Sequence, residues 1–396
     1  MLSDTLSQRG SSAGEARNHL VGKERKLQHQ LTNISETASL VEALPPLQFA
    51  HPFSVQEGCA HASTSEAYVT LFGGRRNDPS FNGLRVLIHT IRKHDHCRPI
   101  VVLVTEGPNT KHLMKLLECE MSRLGVRTMK ASRLSPSVPS CLRTLSVWAG
   151  NNTQARYAFS VFNAWRLVQF KRVIWLEPDQ FLLRPLDDLW ARPLDQDSAG
   201  AAVLVMEYMP QCMENTKGLR DPRLQHRRLK FNTGVVLMRP AMAVFDMLHN
   251  ALHGSLGSYL CTDGFQTLWN VVLRRRMECL HRTYNCMNHR YYDAPGRARL
   301  APHEPPKWAA TAAYNHSRTK LSCLRESDSS PHVVHFAGGG TKPWTRNEAR
   351  SLSWSRQLWR FQLEAYRRNA QTVAGFCNQQ SESPRDVSIA AHAPAR

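Results

Sequence analysis

From Ala67 onward the chain alternates two kinds of segment, and this alternation limits the folds open to it. "AYVTLF", "PIVVLVTEG", "RVIWLEPD", "GAAVLVMEY", "TGVVLMRP" and "PHVVHFAGGG" are short, nearly continuous apolar runs. Between them lie segments with helical spacing. In "LRVLIHTIRKH", Leu84, Leu87, Ile88 and Ile91 share one face. "TKHLMKLLECEMSRLG" is a second amphipathic helix, closed by Gly125. "AFSVFNAWRLVQF", "AMAVFDMLHNAL" and "DGFQTLWNVVLRRR" read as further helices. Strands that are apolar on both faces need cover on both faces. The pattern therefore predicts an α/β fold with a mostly parallel central sheet. In open sheets of this kind, ligands bind beyond the carboxyl ends of the strands.

The 396 residues suffice for one large domain or two modest ones, and a 42% hydrophobic content with nine tryptophans can supply the core. Residues 1–65 and 371–396 read as polar tails, 66–370 as one domain, and 291–330, rich in Pro, Ala and Arg, as a surface insertion. The net charge of +19 favours an anionic partner: nucleic acid, anionic lipid or a phosphorylated small molecule. There is no base-stacking motif of the RNP kind and no recognisable DNA-reading helix, so nucleic acid is not expected. No run of 18 apolar residues occurs, so no membrane span is predicted.

The N-terminus lacks a signal-peptide pattern. Taken as complete it implies a cytoplasmic protein; with an anchor missing it implies the Golgi or secretory pathway. The ten cysteines include no Cys-x-x-Cys, and both free thiols and disulfides remain open. Asn-x-Ser/Thr triplets at Asn33, Asn151 and Asn315 permit a secretory location.

Two stretches carry chemistry. In "VIWLEPDQFLLRP" a buried-type strand runs into Glu177-Pro178-Asp179. Two carboxylates one residue apart can end a strand as a polar turn, or can share one hard divalent cation. In "VVHFAGGGTKPW" a histidine, His335, leaves a buried strand, and glycines and then Lys342 follow. Glycines let backbone approach phosphate, and a lysine neutralises it. The histidine could complete a mixed oxygen and nitrogen site of the manganese type.

Together with "AYVTLF", "FKRVIWLEPDQFLLRPLDDLW", "FNTGVVLMRP" and "HFAGGGTKPW", in that order over about Ala67 to Trp344, the chain resembles the nucleotide-sugar glycosyltransferases of family 8, glycogenin-like and plant glucuronosyltransferase-like. The resemblance implies a single Rossmann-like domain of the GT-A type that binds a UDP-sugar and Mn2+. It implies that Glu177, Asp179 and His335 hold the metal. It places Lys342 and the Gly339 backbone on the diphosphate, Leu71 beside the uridine and Asn232 on the donor sugar. The implied reaction moves a sugar to an acceptor hydroxyl with retention, on a glycan, protein or lipid, and a homodimer is compatible with it. Self-glucosylation is a variant, although none of the nine tyrosines is marked as an acceptor.

This sequence also departs from the family. Glu177 stands where the first aspartate of the metal motif is usual. Ser160-Val161-Phe162 replaces a Thr-Lys-Leu, so a cation near the donor is missing, and Arg156 is the candidate to replace it. The family's Asp-Gln-Gly appears as Thr262-Asp263-Gly264. Asp263 serves either near the anomeric carbon or as the cap of the following helix. These departures motivate the alternative of a catalytically impaired pseudo-glycosyltransferase that acts as a binding protein.

Overall fold

The structure, a computed structural model, describes residues 44–47, 65–73, 78–107, 110–121, 124–136, 153–194, 203–207, 231–254, 265–273, 276–287, 331–336, 342–344 and 358–368. In chain order the elements begin with β1 (Glu66–Phe72), α1 (Ser80–His94), β2 (Ile100–Thr105), α2 (Thr110–Met121) and β3 (Val126–Ala131). A 3-10 helix (Thr153–Arg166) leads to β4 (Arg172–Leu176), β5 (Gln180–Leu182) and the short α3 (Asp187–Trp190). Then come β6 (Val203–Glu207), β7 (Phe231–Met238), α4 (Met242–His253), α5 (Phe265–Val272) and β8 (Met277–Leu280). Next are β9 (Cys286–Met287) and β10 (Val333–His335), and the last described helix is α6 (358–368). The expected tails, the 291–330 insertion and the three Asn-x-Ser/Thr sites fall almost wholly or wholly outside the described residues. Among the described residues no helix is long and apolar enough to cross a membrane.

The elements form two compact units. One is drawn from Phe53–Lys130, Leu176–Asp188 and Arg282–Arg396, the other from Met1–Pro52, Ala131–Trp175 and Leu189–His281. In the first unit the strands lie in the order β3-β2-β1, with β1 parallel to β2 and Leu71 opposite Leu103. All six residues of β2 are buried, as a strand covered on both faces requires. The predicted face of α1 is buried as well: Leu84, Leu87, Ile88 and Ile91 are at most 1% exposed. A small sheet, β5-β10-β9, completes this unit. Its apolar side packs Phe181, Val334 and Phe336 with Val86 of α1 and with Trp359 and Leu363 of α6.

In the second unit the order is β4-β7-β6-β8. β8 runs parallel to β6, but β7 runs antiparallel to it, a local exception to the parallel pattern. The segment expected as a helix over "AFSVFNAWRLVQF" is a 3-10 helix that ends at Arg166. Its aromatic spacing explains the difference. Phe159, Phe162 and Trp165 recur every third residue and are buried, and a 3-10 helix stacks residues i and i+3 on one edge. That edge meets Trp269 of α5, with ring centroids 6.2 Å from Phe162 and 6.3 Å from Trp165.

Two details hold the first unit in register. α1 ends on Asp95, whose N–H donates to Ile91 O at 2.7 Å. Its carboxylate accepts from the backbone of Cys97 and Arg98, both at 3.0 Å, from Tyr68 Oη at 3.0 Å and from Arg98 Nη1 at 2.8 Å. Burial pushes this carboxyl up, but these donors and the Arg98 charge outweigh it and hold its pKa below the ordinary value. Arg92 donates to Leu124 O, Asp95 O and Arg98 O. This ties the end of α1 to the turn where Gly125 takes φ +59°, a left-handed conformation that favours glycine. The second detail is Gly83 in α1. A Cβ there would lie 2.4 Å from Trp344 Cζ3 and 2.6 Å from Pro178 O. The missing side chain lets two turns, one carrying Pro178 and one carrying Trp344, close on the helix.

Replacing Asp95 by Asn is expected to cost about 1–3 kcal/mol at neutral pH. Because the folded pKa is depressed, this contribution is present above the unfolded value of about 4 and is lost as the pH falls through the folded one. Denaturant unfolding of both proteins should show the gap at pH 7 and its disappearance in acid. At Gly83, alanine gains about 1 kcal/mol of helix propensity. It meets a backbone oxygen that cannot swing aside, at a cost of about 1–3 kcal/mol. Gly83→Ala should therefore lower the unfolding midpoint, and an unchanged or raised midpoint would mean that the Pro178 turn is soft.

Candidate metal and donor site

β4 ends at Leu176, and the next three residues form the turn Glu177-Pro178-Asp179 before β5 begins at Gln180. β10 pairs antiparallel with β5, with His335 directly opposite Gln180. On its other side β10 pairs parallel with β9, with His335 opposite Met287. Phe336 N donates to Asp179 O at 3.1 Å. These pairings bring residues about 160 positions apart in sequence to one place. His335 ends β10 and both acids follow β4, but β10, expected from its apolar run to join the mostly parallel sheet, lies in the small sheet, where it runs antiparallel to β5.

The side chains converge. One ligand atom each from Glu177, Asp179 and His335 lies within 4.8 Å of the others. His335 Nε2 is 2.9 Å from Glu177 Oε2 and 3.5 Å from Asp179 Oδ1. Despite this closeness, Nε2 makes no well-directed hydrogen bond and is fully enclosed. Asp179 and His335 are buried, while Glu177 is partly open. Burial alone would lower the pKa of His335, but the Asp179 and Glu177 carboxylates outweigh it and raise it to about 9. Burial alone would raise Asp179, but the Lys342 and His335 charges outweigh it and hold it well below the usual carboxylate range.

Lys342 joins the group. Its ammonium donates to Asp179 Oδ2 and, at 3.0 Å, to Phe336 O. The other ring nitrogen of His335, Nδ1, lies 2.9 Å from Asn285 Oδ1. Gln180 Nε2 approaches the same oxygen at 3.5 Å, and Gln180 Oε1 accepts from Glu177 N at 3.2 Å. Sequence reasoning did not single out Asn285 or Gln180. "TYNCMN" carries no motif, and only the pairing of β9 with β10 brings Asn285 into place.

The remaining predicted residues divide. Leu71 is half-buried near the carboxyl end of β1, in the same unit as the cluster. Asn232 belongs to the other unit, where it is buried in β7 and its Oδ1 accepts from Gly234 N at 3.0 Å. Asp263 and Gly339 lie outside the described residues, as does the Arg156 side chain. At the position of the family's lysine, Ser160, Val161 and Phe162 are buried, and Ser160 Oγ accepts from Leu134 N at 3.1 Å. Of the cysteines, Cys97, Cys119 and Cys286 are disulfide-bonded, which settles for them the alternative left open by the sequence.

The donor set fits a divalent cation. Two carboxylates and an imidazole nitrogen form an oxygen-rich mixed set suited to Mn2+. The buried Nε2, which points at both acids without a directed bond, has the environment of a ligand atom. Its other ring nitrogen is engaged with Asn285, as is usual for metal-binding histidines.

Comparison with known proteins finds relatives among glycosyltransferases. The chain is 24% identical over 297 residues to inositol phosphorylceramide glucuronosyltransferase 1 of Arabidopsis thaliana, covering 71% of this chain and 43% of that protein. It is 22% identical over 278 residues to glycogenin of Neurospora crassa, covering 69% of this chain and 31% of that protein. The chain thus spans less than half the length of these curated relatives. Among solved structures it is similar to the galactosyltransferase LgtC in complex with donor and acceptor sugar analogs. That match has 13% identity, a TM-score of 0.48, and coverage of 76% of this chain and 95% of that one. The sequence profile of glycosyl transferase family 8 matches residues 82–348, and the chain belongs to that family of glycosyltransferases.

Proposed function

We propose that this protein transfers a sugar from a UDP-sugar to an acceptor hydroxyl, with retention at the anomeric carbon. The observation that carries this reading is the convergence of Glu177, Asp179 and the enclosed Nε2 of His335. A divalent cation such as Mn2+, held by these three, would neutralise the charge that develops on the departing diphosphate. Lys342, engaged with Asp179, supplies a second positive charge at the same place for an anionic oxygen. Gly339 would offer backbone to the diphosphate, and Leu71 would flank the uridine. Asn232 and Asp263 are assigned to the transferred sugar. No carboxylate is assigned as a covalent nucleophile. The acceptor belongs to one of three classes: glycan, protein or lipid.

The disulfides at Cys97, Cys119 and Cys286 support an oxidising compartment, and we place the protein in the secretory pathway on that ground. One observation favours the second reading, a pseudo-glycosyltransferase: Val161 is a core residue where the family carries a cation. Manganese-dependent hydrolysis of UDP-sugars separates the two, because a pure binding protein would leave the donor intact.

Calorimetric titration with UDP, with and without Mn2+, is expected to show binding that requires the metal. Asp179→Asn should abolish the metal-dependent part, and unchanged affinity in a folded variant would move the metal elsewhere. Glu177→Asp is expected to keep or raise turnover, since it restores the usual family residue. Complete loss of turnover would mark the glutamate as a specific adaptation.

A further inference from the structure

We infer that Asn285 is a positioning residue for the metal site. Its side-chain oxygen fixes the tautomer and ring angle of His335, so that Nε2 is the nitrogen presented to Glu177 and Asp179. This rests on the proposed reading of those three residues as metal ligands.

Asn285 Oδ1 lies 2.9 Å from His335 Nδ1, and both side chains are fully enclosed. An amide oxygen only accepts, so Nδ1 carries the proton. In the neutral ring the lone pair is then on Nε2, the nitrogen that faces the carboxylates. The amide cannot turn over freely, because its orientation is set by a relay. Glu177 N donates to Gln180 Oε1, which leaves Gln180 Nε2 as the donor toward Asn285 Oδ1. Reversing the Asn285 amide would set its NH2 against the NH2 of Gln180, donor against donor.

The relay starts at the backbone of one ligand residue and ends on the ring of another. All of its members sit on or beside the small β5-β10-β9 sheet. Gln180 is directly opposite His335 in the β5–β10 ladder. Asn285 is followed by Cys286, which is disulfide-bonded and lies opposite Val334. The sheet thus fixes both the ligand and the group that aims it.

The bland reading is that Asn285 only satisfies a buried histidine. The two readings differ in what a variant does to metal affinity at equal stability. Electron paramagnetic resonance of Mn2+ with the full chain, with and without UDP, measures that affinity directly. Asn285→Leu removes the acceptor and is expected to weaken Mn2+ binding about 10–100-fold. Asn285→Asp keeps an acceptor for Nδ1–H and is expected to stay near the wild-type affinity. Thermal unfolding of the metal-free proteins accompanies each measurement. If Asn285→Leu does not fold, Gln180→Met takes its place: it removes the donor that orients the Asn285 amide, and a loss toward the lower end of the same range is expected.

Wild-type Mn2+ affinity in folded Asn285→Leu or Gln180→Met would overturn the positioning role while leaving the metal reading intact. Equal losses in Asn285→Leu and Asn285→Asp would also overturn it, since the acceptor would then not matter. Failure of the wild-type chain to bind Mn2+ in either condition would overturn the metal reading and this inference together.

Discussion

Strand β10 is three residues long, and most of the candidate site depends on its being held from both sides. A three-residue strand with one partner is marginal. Here β5 and β9 flank it, and Leu183 N and His332 N extend the ladders through His332 O at 2.8 Å and Thr283 O at 2.7 Å. Below it, Phe181, Val334 and Phe336 are buried against α1 and α6. Each fully buried side chain of this size contributes about 1.5–3 kcal/mol. That is enough to keep the polar residues of the same short strands in a fixed register. A slip of one residue would turn His335 away from the acids and bring Val334 toward them. The site's precision is therefore a property of apolar packing on the opposite face of the sheet.

The same packing creates an electrostatic demand. Asp179 is buried, and an isolated buried carboxylate is costly. Glu177 adds a second negative charge nearby. Lys342 answers one of them. His335 lies beside both carboxylates, and Asp179 first and then Glu177 raise its pKa to about 9 against the opposing effect of burial. Gly83 belongs to this balance too, since the absence of its side chain lets the turns around Pro178 and Trp344 approach α1 together.

Much of this was legible in the sequence, for physical reasons that differ from place to place. β1, β2, β4 and β7 announced themselves as apolar runs, and α1 showed its buried face by spacing alone. Glu177, Asp179, His335 and Lys342 stood out because two strand ends, one followed by paired carboxylates and one by a histidine, glycines and a lysine, together match the order of the family's motifs. The 3-10 geometry of Thr153–Arg166 was harder to see, because a spacing of three in aromatics overlaps the helical pattern of three and four. β5 and β9, with three and two residues, are too short to carry any periodicity. Asn285 and Gln180 followed them out of view, since their role exists only once those strands pair with β10. α6 was overlooked although Trp359, Leu363 and Tyr366 repeat at helical spacing and are buried.

The residues around the family's lysine position show how packing constrains chemistry. Val161 and Phe162 lie on a 3-10 helix, beside Phe159 and Trp165 and, through Phe162, against Trp269. A lysine at either position would place an ammonium in an aromatic and aliphatic core, at a cost of several kcal/mol unless paired. The substitution is thus part of the core of that unit and is not an isolated loss. Under the proposed reading, the described cation nearest the candidate metal ligands is the ammonium of Lys342, which donates to Asp179. Lys342 provides one charge. The imbalance that raises His335 is what a divalent cation would correct, because cation and proton compete for the same two carboxylates and the same nitrogen. The two carboxylates that raise the His335 pKa are the same groups that would hold the cation under the proposed reading.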